Sequence, residues 1–261
     1  MPKSAKADRE PILACKDIAY TYPHSKEVFR DINLNAYEDE IVAVVGPTGT
    51  GKSTLLRVMA HLLTPTRGHI YLEGTEIREP TPNISLIHQS IATFPWMTAL
   101  ENVRLSLRDT KLPEEEVIKR SEKMLELVGL KKDKDNYPKE MSGGMRQRVA
   151  IARALAAEPP VLLLDEPFVH LDEFTAQSLR QEVLRLVFKH RNFLKSAILV
   201  SHNLHEVVQL ADRVCIVNGT PATVVEELKI NLPRPRSERD SKFYEYLELL
   251  VKELGLKDYR V

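Results

Sequence analysis

Glu40-Ile-Val-Ala-Val-Val45 runs without a break into Gly46-Pro-Thr-Gly-Thr-Gly-Lys-Ser-Thr54. A continuous apolar run of that length belongs to a strand buried on both faces. Gly46, Gly49 and Gly51 then permit a tight turn, and Leu55, Leu56, Val58 and Met59 resume at helical spacing. Strand, glycine-rich turn and helix in that order are the opening unit of an α/β core. Two later runs, Val161-Leu-Leu-Leu164 and Ser196-Ala-Ile-Leu-Val-Ser201, read as further buried strands of that core.

Working outward, residues Ile12 to Val45 break into short β-like runs separated by polar turns, and Gly68 to Gly74 is strand-like. From about Ile91 to Pro159 the character changes to helix. Pro113-Glu-Glu-Glu116 opens one helix, Val117, Ile118, Leu125 and Val128 share its apolar face, and Gly129 closes it. From Asn231 the segment Leu232-Pro-Arg-Pro-Arg236 leads to a last amphipathic helix with Phe243, Leu247, Leu250 and Leu254. The expected organisation is residues 1–90 as the first part of the core, 91–159 as a helical insertion, 160–230 as the second part, and 231–261 as a linker with a terminal helix.

Of the 261 residues 43% are hydrophobic, enough for a sizeable core, and 37 basic residues balance 37 acidic ones. With no clustered basic face, nucleic acid is not an expected partner. Cys15 and Cys215 fall in apolar strand-like runs and read as buried thiols of a reducing compartment. No apolar stretch follows the charged N-terminal residues and none later could span a bilayer, so the chain is expected in the cytoplasm, with any membrane-spanning part supplied by a partner.

Residues Gly46 to Thr54 fit the P-loop pattern in the strand-to-helix context that pattern requires. Backbone amides of Gly46, Pro47 to Thr50 and Gly51, insofar as each carries an N–H, can close on phosphate oxygens, and the helix N-terminus adds partial positive charge. Lys52 is placed to reach the β- and γ-phosphates, Ser53 offers a hydroxyl to Mg²⁺, and Thr54 can reach the α-phosphate. Thr48 and Thr50 complete the loop. Asp165-Glu166 ends an apolar strand in two carboxylates: Asp165 suits a role toward Mg²⁺ and Glu166 that of general base for an attacking water.

Met141-Ser-Gly-Gly-Met-Arg-Gln-Arg148 places Ser142, Gly143 and Gly144 at the start of a second amphipathic helix, a second anion-binding terminus that one P-loop leaves without a ligand. Here the chain resembles the ATP-binding subunits of ABC transporters. The resemblance implies an α/β P-loop NTPase core of ABC ATPase type with an antiparallel β subdomain and an inserted α-helical subdomain. It implies ATP and Mg²⁺ as cofactors, and a head-to-tail dimer, with a second copy or a related ATPase, in which Ser142–Gly144 of one protomer closes over the nucleotide of the other. It also implies that Tyr22 stacks on adenine, Gln89 senses Mg²⁺ and the γ-phosphate, Asp172 communicates across the dimer and His202 contacts the γ-phosphate. Alone, Tyr22 reads as a strand aromatic, Gln89 as a loop amide and Asp172 as a helix cap; His202 with His205 would lack a third metal ligand.

Phe94-Pro-Trp-Met-Thr98, Asp165-Glu-Pro-Phe168 and Leu232-Pro-Arg-Pro-Arg236 resemble the nitrate/sulfonate/taurine-type importer ATPases. That group implies a place on the cytoplasmic face of the membrane, permease subunits docking beside Phe94 to Thr98, and, indirectly, an extracytoplasmic solute-binding protein. Trp96 and Phe94 also read as ordinary core aromatics, and Leu232 to Arg236 as a solvated linker. Met145 and His170 depart from the commonest family pattern. A soluble ABC-type ATPase is the alternative, and a small-molecule kinase would leave Ser142–Gly144 and His202 without a purpose.

Overall fold

The computed structural model describes residues 9–90, 93–188 and 193–256. The expected start of the helical segment at Ile91 and most of the N-terminal stretch lie outside the described residues. In chain order the elements are β1 (Leu13–Thr21), β2 (Glu27–Ala36), β3 (Glu40–Val45), α1 (Lys52–Met59), β4 (Arg67–Leu72), β5 (Thr75–Ile77), β6 (Ile84–Ile87), α2 (Ala99–Arg104), α3 (Glu114–Leu127), α4 (Gly143–Ala156), β7 (Val161–Asp165), α5 (Glu173–Phe188), β8 (Ser196–Val200), α6 (Leu204–Leu210), β9 (Arg213–Gly219), β10 (Ala222–Lys229) and α7 (Ser241–Glu253). They fall into two compact units, residues 1–81 with 195–261, and residues 82–194.

The first unit is built on strands in the order β5-β4-β1-β2-β10-β9-β3-β8. β1, β2, β4 and β5 pair antiparallel, whereas β3 lies parallel between β8 and β9. All six residues of β3 and all five of β8 are buried, which is why Ile41–Val45 and Ala197–Val200 read as unbroken apolar runs. One core cluster joins Val45 at the end of β3, Leu204 and Val207 of α6, Ile216 of β9, and Phe243 and Leu247 of α7. Cys15 and Cys215 are buried thiols, each pushed up to about 12 by burial.

Leu232 to Arg236 is not a solvated linker. Leu232 is 4% exposed, and the Arg236 side chain is buried with its guanidinium bonded to the carbonyls of Leu232 (2.9 Å), Val208 (2.7 Å) and Ala211. Burial, and then the charge of Arg234, lower the Arg236 pKa to about 10, still far above neutral pH. Arg234 donates to Asp212 Oδ1 (2.5 Å) and to the Leu210 carbonyl (2.6 Å). Asp212 in turn accepts from the Ile41 amide at 3.0 Å. The sequence composition of this stretch suits solvent, but the guanidinium groups are used to satisfy helix-end carbonyls inside the unit.

In the second unit β6 and β7 pair parallel, and α2, α3 and α4 pack on one another. α2 begins with a capping box between Thr98 and Glu101. α3 carries Glu114, Glu115 and Glu116 in its first turn, and Gly129 follows it with φ 73°, a value glycine adopts without strain. All five residues of β7 are buried, so its last residue, Asp165, is delivered from a rigid support.

Candidate nucleotide-binding site

In the first unit the loop between β3 and α1 is shaped by contacts only glycine permits. A Cβ on Gly46 would lie 2.1 Å from the Val217 carbonyl oxygen, and one on Gly51, at φ 84°, would lie 2.3 Å from Val28 Cγ1. Gly49, at φ 86°, needs glycine for its backbone alone. Lys52 is the first residue of α1, and its Nζ donates to the carbonyls of Gly46 and Pro47, each at 2.8 Å. Thr50 Oγ1 donates to the Pro47 carbonyl at 2.9 Å. The ammonium is thus held over the loop, beside the amides at the N-terminus of α1, where positive potential accumulates.

Tyr22 follows β1, and its hydroxyl lies 3.1 Å from Thr54 Oγ1 in the same unit. Its ring meets that of Tyr20 edge-on, centroids 4.9 Å apart, which fixes the direction of the exposed face. His202 is exposed two residues beyond β8, between Ser201 and Asn203, the residue that caps α6.

In the second unit Asp165 is 2% exposed at the end of β7. Glu166 follows with φ 48°, a left-handed conformation that costs a side-chain-bearing residue about 1–3 kcal/mol. Gln89 Nε2 donates to Glu166 Oε2 at 2.9 Å. A turn of that hand separates the two carboxylates, so Asp165 stays buried while Glu166 meets the amide.

Ser142 is the N-cap of α4 and accepts from the Met145 amide at 3.2 Å; the departure at Met145 therefore enters the cap through its backbone, where the side chain is immaterial. A Cβ on Gly143 would meet nothing within 4 Å, whereas one on Gly144 would lie 3.3 Å from Leu171 Cδ2. His170 is exposed, and its carbonyl faces Gly144. Asp172 caps α5 by accepting from the Thr175 amide at 3.0 Å, and that bond holds its carboxyl below the usual carboxylate range.

Hard-oxygen donors occur in each unit by itself: the hydroxyl of Ser53 in the first, and in the second the carboxylate of Asp165 and the amide oxygen of Gln89, whose nitrogen is turned to Glu166. Among the described residues no group of three or more His, Cys, Asp or Glu could hold a metal. Hydroxyl, amide and carboxylate oxygens are ligands of the kind Mg²⁺ takes, and none is the thiolate or imidazole that zinc prefers.

Residues 29–169 match the family model described as ABC transporter. The aliphatic sulfonates import ATP-binding protein SsuB of Bacillus licheniformis is 41% identical over 226 residues, 87% of this chain and 86% of that protein. This chain belongs to the ABC transporter family, as an ATP-binding subunit. The bicarbonate transport ATP-binding protein CmpD of a Synechocystis species is 38% identical over 92% of this chain and 86% of its own length. The dimeric post-hydrolysis structure of the ATP-binding cassette MJ0796, bound to ADP and Pi, superposes with a TM-score of 0.74 at 29% identity. That match covers 85% of this chain and all of the other. The fold of this ABC subunit is thus the mixed α/β cassette expected from its motifs, and ATP hydrolysis is the activity of the family.

Three side chains of this ABC subunit that sequence reasoning passed over support the motif residues. Asn102, fully buried, accepts from the Phe94 amide (2.8 Å) and donates to the carbonyls of Phe94, Met97 and Thr98, so one amide shapes the whole 94–98 turn. That turn leaves Trp96 68% exposed, with its ring 5.5 Å from that of Phe94, which excludes the core reading for Trp96. Gln147 of α4, also fully buried, donates to the Pro167 carbonyl at 3.0 Å and so ties α4 to the turn after Glu166. Arg236 is the third. Only Gln147 carried a signal, its place one turn beyond Ser142–Gly144. Among the described residues no helix is long and apolar enough to cross a membrane.

Proposed function

We propose that the chain is the Mg²⁺-dependent ATPase of an importer of small anionic solutes, of the sulfonate, nitrate or bicarbonate kind. The reading of the solute class rests on the 41% and 38% identities to sulfonate and bicarbonate import ATPases over most of both chains. The observation that supports turnover most directly is the 2.9 Å bond from Gln89 to Glu166. It orients one oxygen of a carboxylate that stands at the end of a buried strand, as a general base must be oriented.

In the first unit Tyr22 offers a ring face to adenine, and residues Gly46 to Thr54 offer amides and hydroxyls to the phosphates. Lys52 exchanges its loop carbonyls for β- and γ-phosphate oxygens. Ser53 is suited to a role toward Mg²⁺, as, in the second unit, Asp165 and Gln89 each are; the ion would neutralise charge developing on the phosphates. Glu166 takes the proton of the attacking water, and His202 steadies the γ-phosphate as that charge grows. Ser142, Gly143 and Gly144, with Asp172, serve the nucleotide of a second protomer, a copy of this chain or a related ATPase, across a two-fold axis. Loss of the γ-phosphate then loosens the dimer, and the turn carrying Trp96 passes the motion to a permease at the cytoplasmic face of the membrane.

Affinity capture of the tagged chain from detergent-solubilised membranes of its host, followed by mass spectrometry and by hydrolysis assays with and without EDTA, tests this reading. Recovery of a polytopic permease with an associated solute-binding protein, and EDTA-sensitive turnover, are the expected results. Recovery of soluble proteins alone, under conditions that preserve a control transporter, would move the chain to the soluble ABC ATPases.

A further inference from the structure

His202 stands on a short support. α6 has seven residues, too few to be stable by its own hydrogen bonds, so its position must come from packing. At its start Asn203 Oδ1 accepts from the amides of His205 (3.0 Å) and Glu206 (3.4 Å). Ser201 Oγ accepts from the Asn203 amide at 3.0 Å and donates to Glu206 at 2.7 Å. His202 is therefore caught between the end of β8 and a doubly bonded cap, and it moves when α6 moves.

The far end of α6 is bonded to the C-terminal tail. Arg236 donates to the carbonyls of Val208 and Ala211, and Arg234 to that of Leu210. These are the carbonyls a helix C-terminus leaves without intrahelical partners. On the inner face Leu204, Val207 and Val208 share a core with Phe243, Leu247 and Leu250 of α7. His205, in the first turn of α6, has its ring 5.9 Å from that of Phe243 and its Nδ1 3.4 Å from Glu238. Val45, which immediately precedes the phosphate loop, belongs to the same core.

We propose that the tail from Leu232 to Leu250 positions His202, so that the rate of γ-phosphate cleavage is set from the C-terminus of the chain. The inference rests on the proposed role of His202. Arg234, Arg236 and Phe243 are positioning residues: they act through α6 and do not meet the nucleotide. Lys52 is bonded within its own loop, so a disturbance of α6 should reach turnover before it reaches ATP affinity.

The test uses the full chain with Arg236→Lys, which keeps the charge and loses the planar fork, and Phe243→Leu, which keeps an apolar plug and loses the ring. Each is measured for kcat, for ATP affinity by direct titration and for thermal stability, alone and combined with His202→Ala. Misplacement of a reacting group by about an ångström costs on the order of a hundredfold, so kcat should fall about ten- to a hundredfold. ATP affinity should hold within about twofold, and neither variant should slow the His202→Ala protein further. Should Arg236→Lys not fold, Phe243→Leu carries the measurement. Folded tail variants with undiminished kcat, or losses that add to that of His202→Ala, would overturn the proposal. A wild-type chain without turnover, or a His202→Ala chain at the full rate, would instead remove the reading on which it rests.

Discussion

Gln89 and Glu166, 77 positions apart in the chain, meet through a 2.9 Å hydrogen bond, and Glu166 holds a left-handed backbone where it does so. Glu166→Gln keeps an amide oxygen for Gln89 and removes the negative charge. ATP hydrolysis should drop at least about a hundredfold with ATP binding retained, and light scattering should find an ATP-trapped dimer. Undiminished hydrolysis would take the base role away from Glu166.

Lys52 bonds two carbonyls of its own loop, so Lys52→Ala removes both a phosphate ligand and the clasp of that loop. Hydrogen bonds to charged groups contribute about 1.5–3 kcal/mol each, which corresponds to ATP binding weaker by about ten- to a hundredfold. Calorimetric titration checks this.

A Cβ at Gly143 meets no neighbour, and a carboxylate in the first turn of α4 suits the helix dipole. Gly143→Asp should therefore leave the melting temperature of the monomer unchanged or slightly raised. The same charge repels the nucleotide of a partner protomer, so ATP-dependent dimerisation should disappear. A variant that still dimerises with ATP would show that Ser142–Gly144 does not face nucleotide.

Much of this was legible in the sequence because the physical constraint was local. β3 and β7 are buried on both faces, which leaves no polar alternation to confuse them with anything else. The phosphate loop needs glycine at Gly46, where the Val217 backbone approaches, and that requirement is visible as a motif. Arg236 was not legible, because a Pro-Arg segment has the composition of a solvated linker and only the distant end of α6 shows why the guanidinium is inside. Asn102 was hidden too: an amide between Glu101 and Val103 in a short helix says nothing of the turn it will hold.

That turn gives a further expectation. Asn102→Ala leaves the Phe94, Met97 and Thr98 carbonyls without their shared donor, at a cost of at least about 2 kcal/mol. The melting temperature should fall by several degrees while ATP binding is kept, and co-purification with permease should weaken if Trp96 is presented to it.

The bond from the Thr175 amide keeps the Asp172 carboxyl below the ordinary range, so its contribution to stability is present above the unfolded carboxylate value and lost as pH falls through the folded one. Asp172→Asn retains a capping side chain without the titration. The melting-temperature gap between the two proteins should be open at pH 7 and close as the solution is acidified below about pH 4. A gap that is constant with pH would rule out this source.

The two thiols are buried in one sheet with two strands between them, Cys15 in β1 and Cys215 in β9, and residues 82–194 contain no sulfhydryl at all. A thiol reagent can reach either sulfur only when the packing around that sheet opens. The native chain therefore carries its own clock for opening of the unit that holds the sheet, and any cysteine placed on the surface for labelling will react against a dark background.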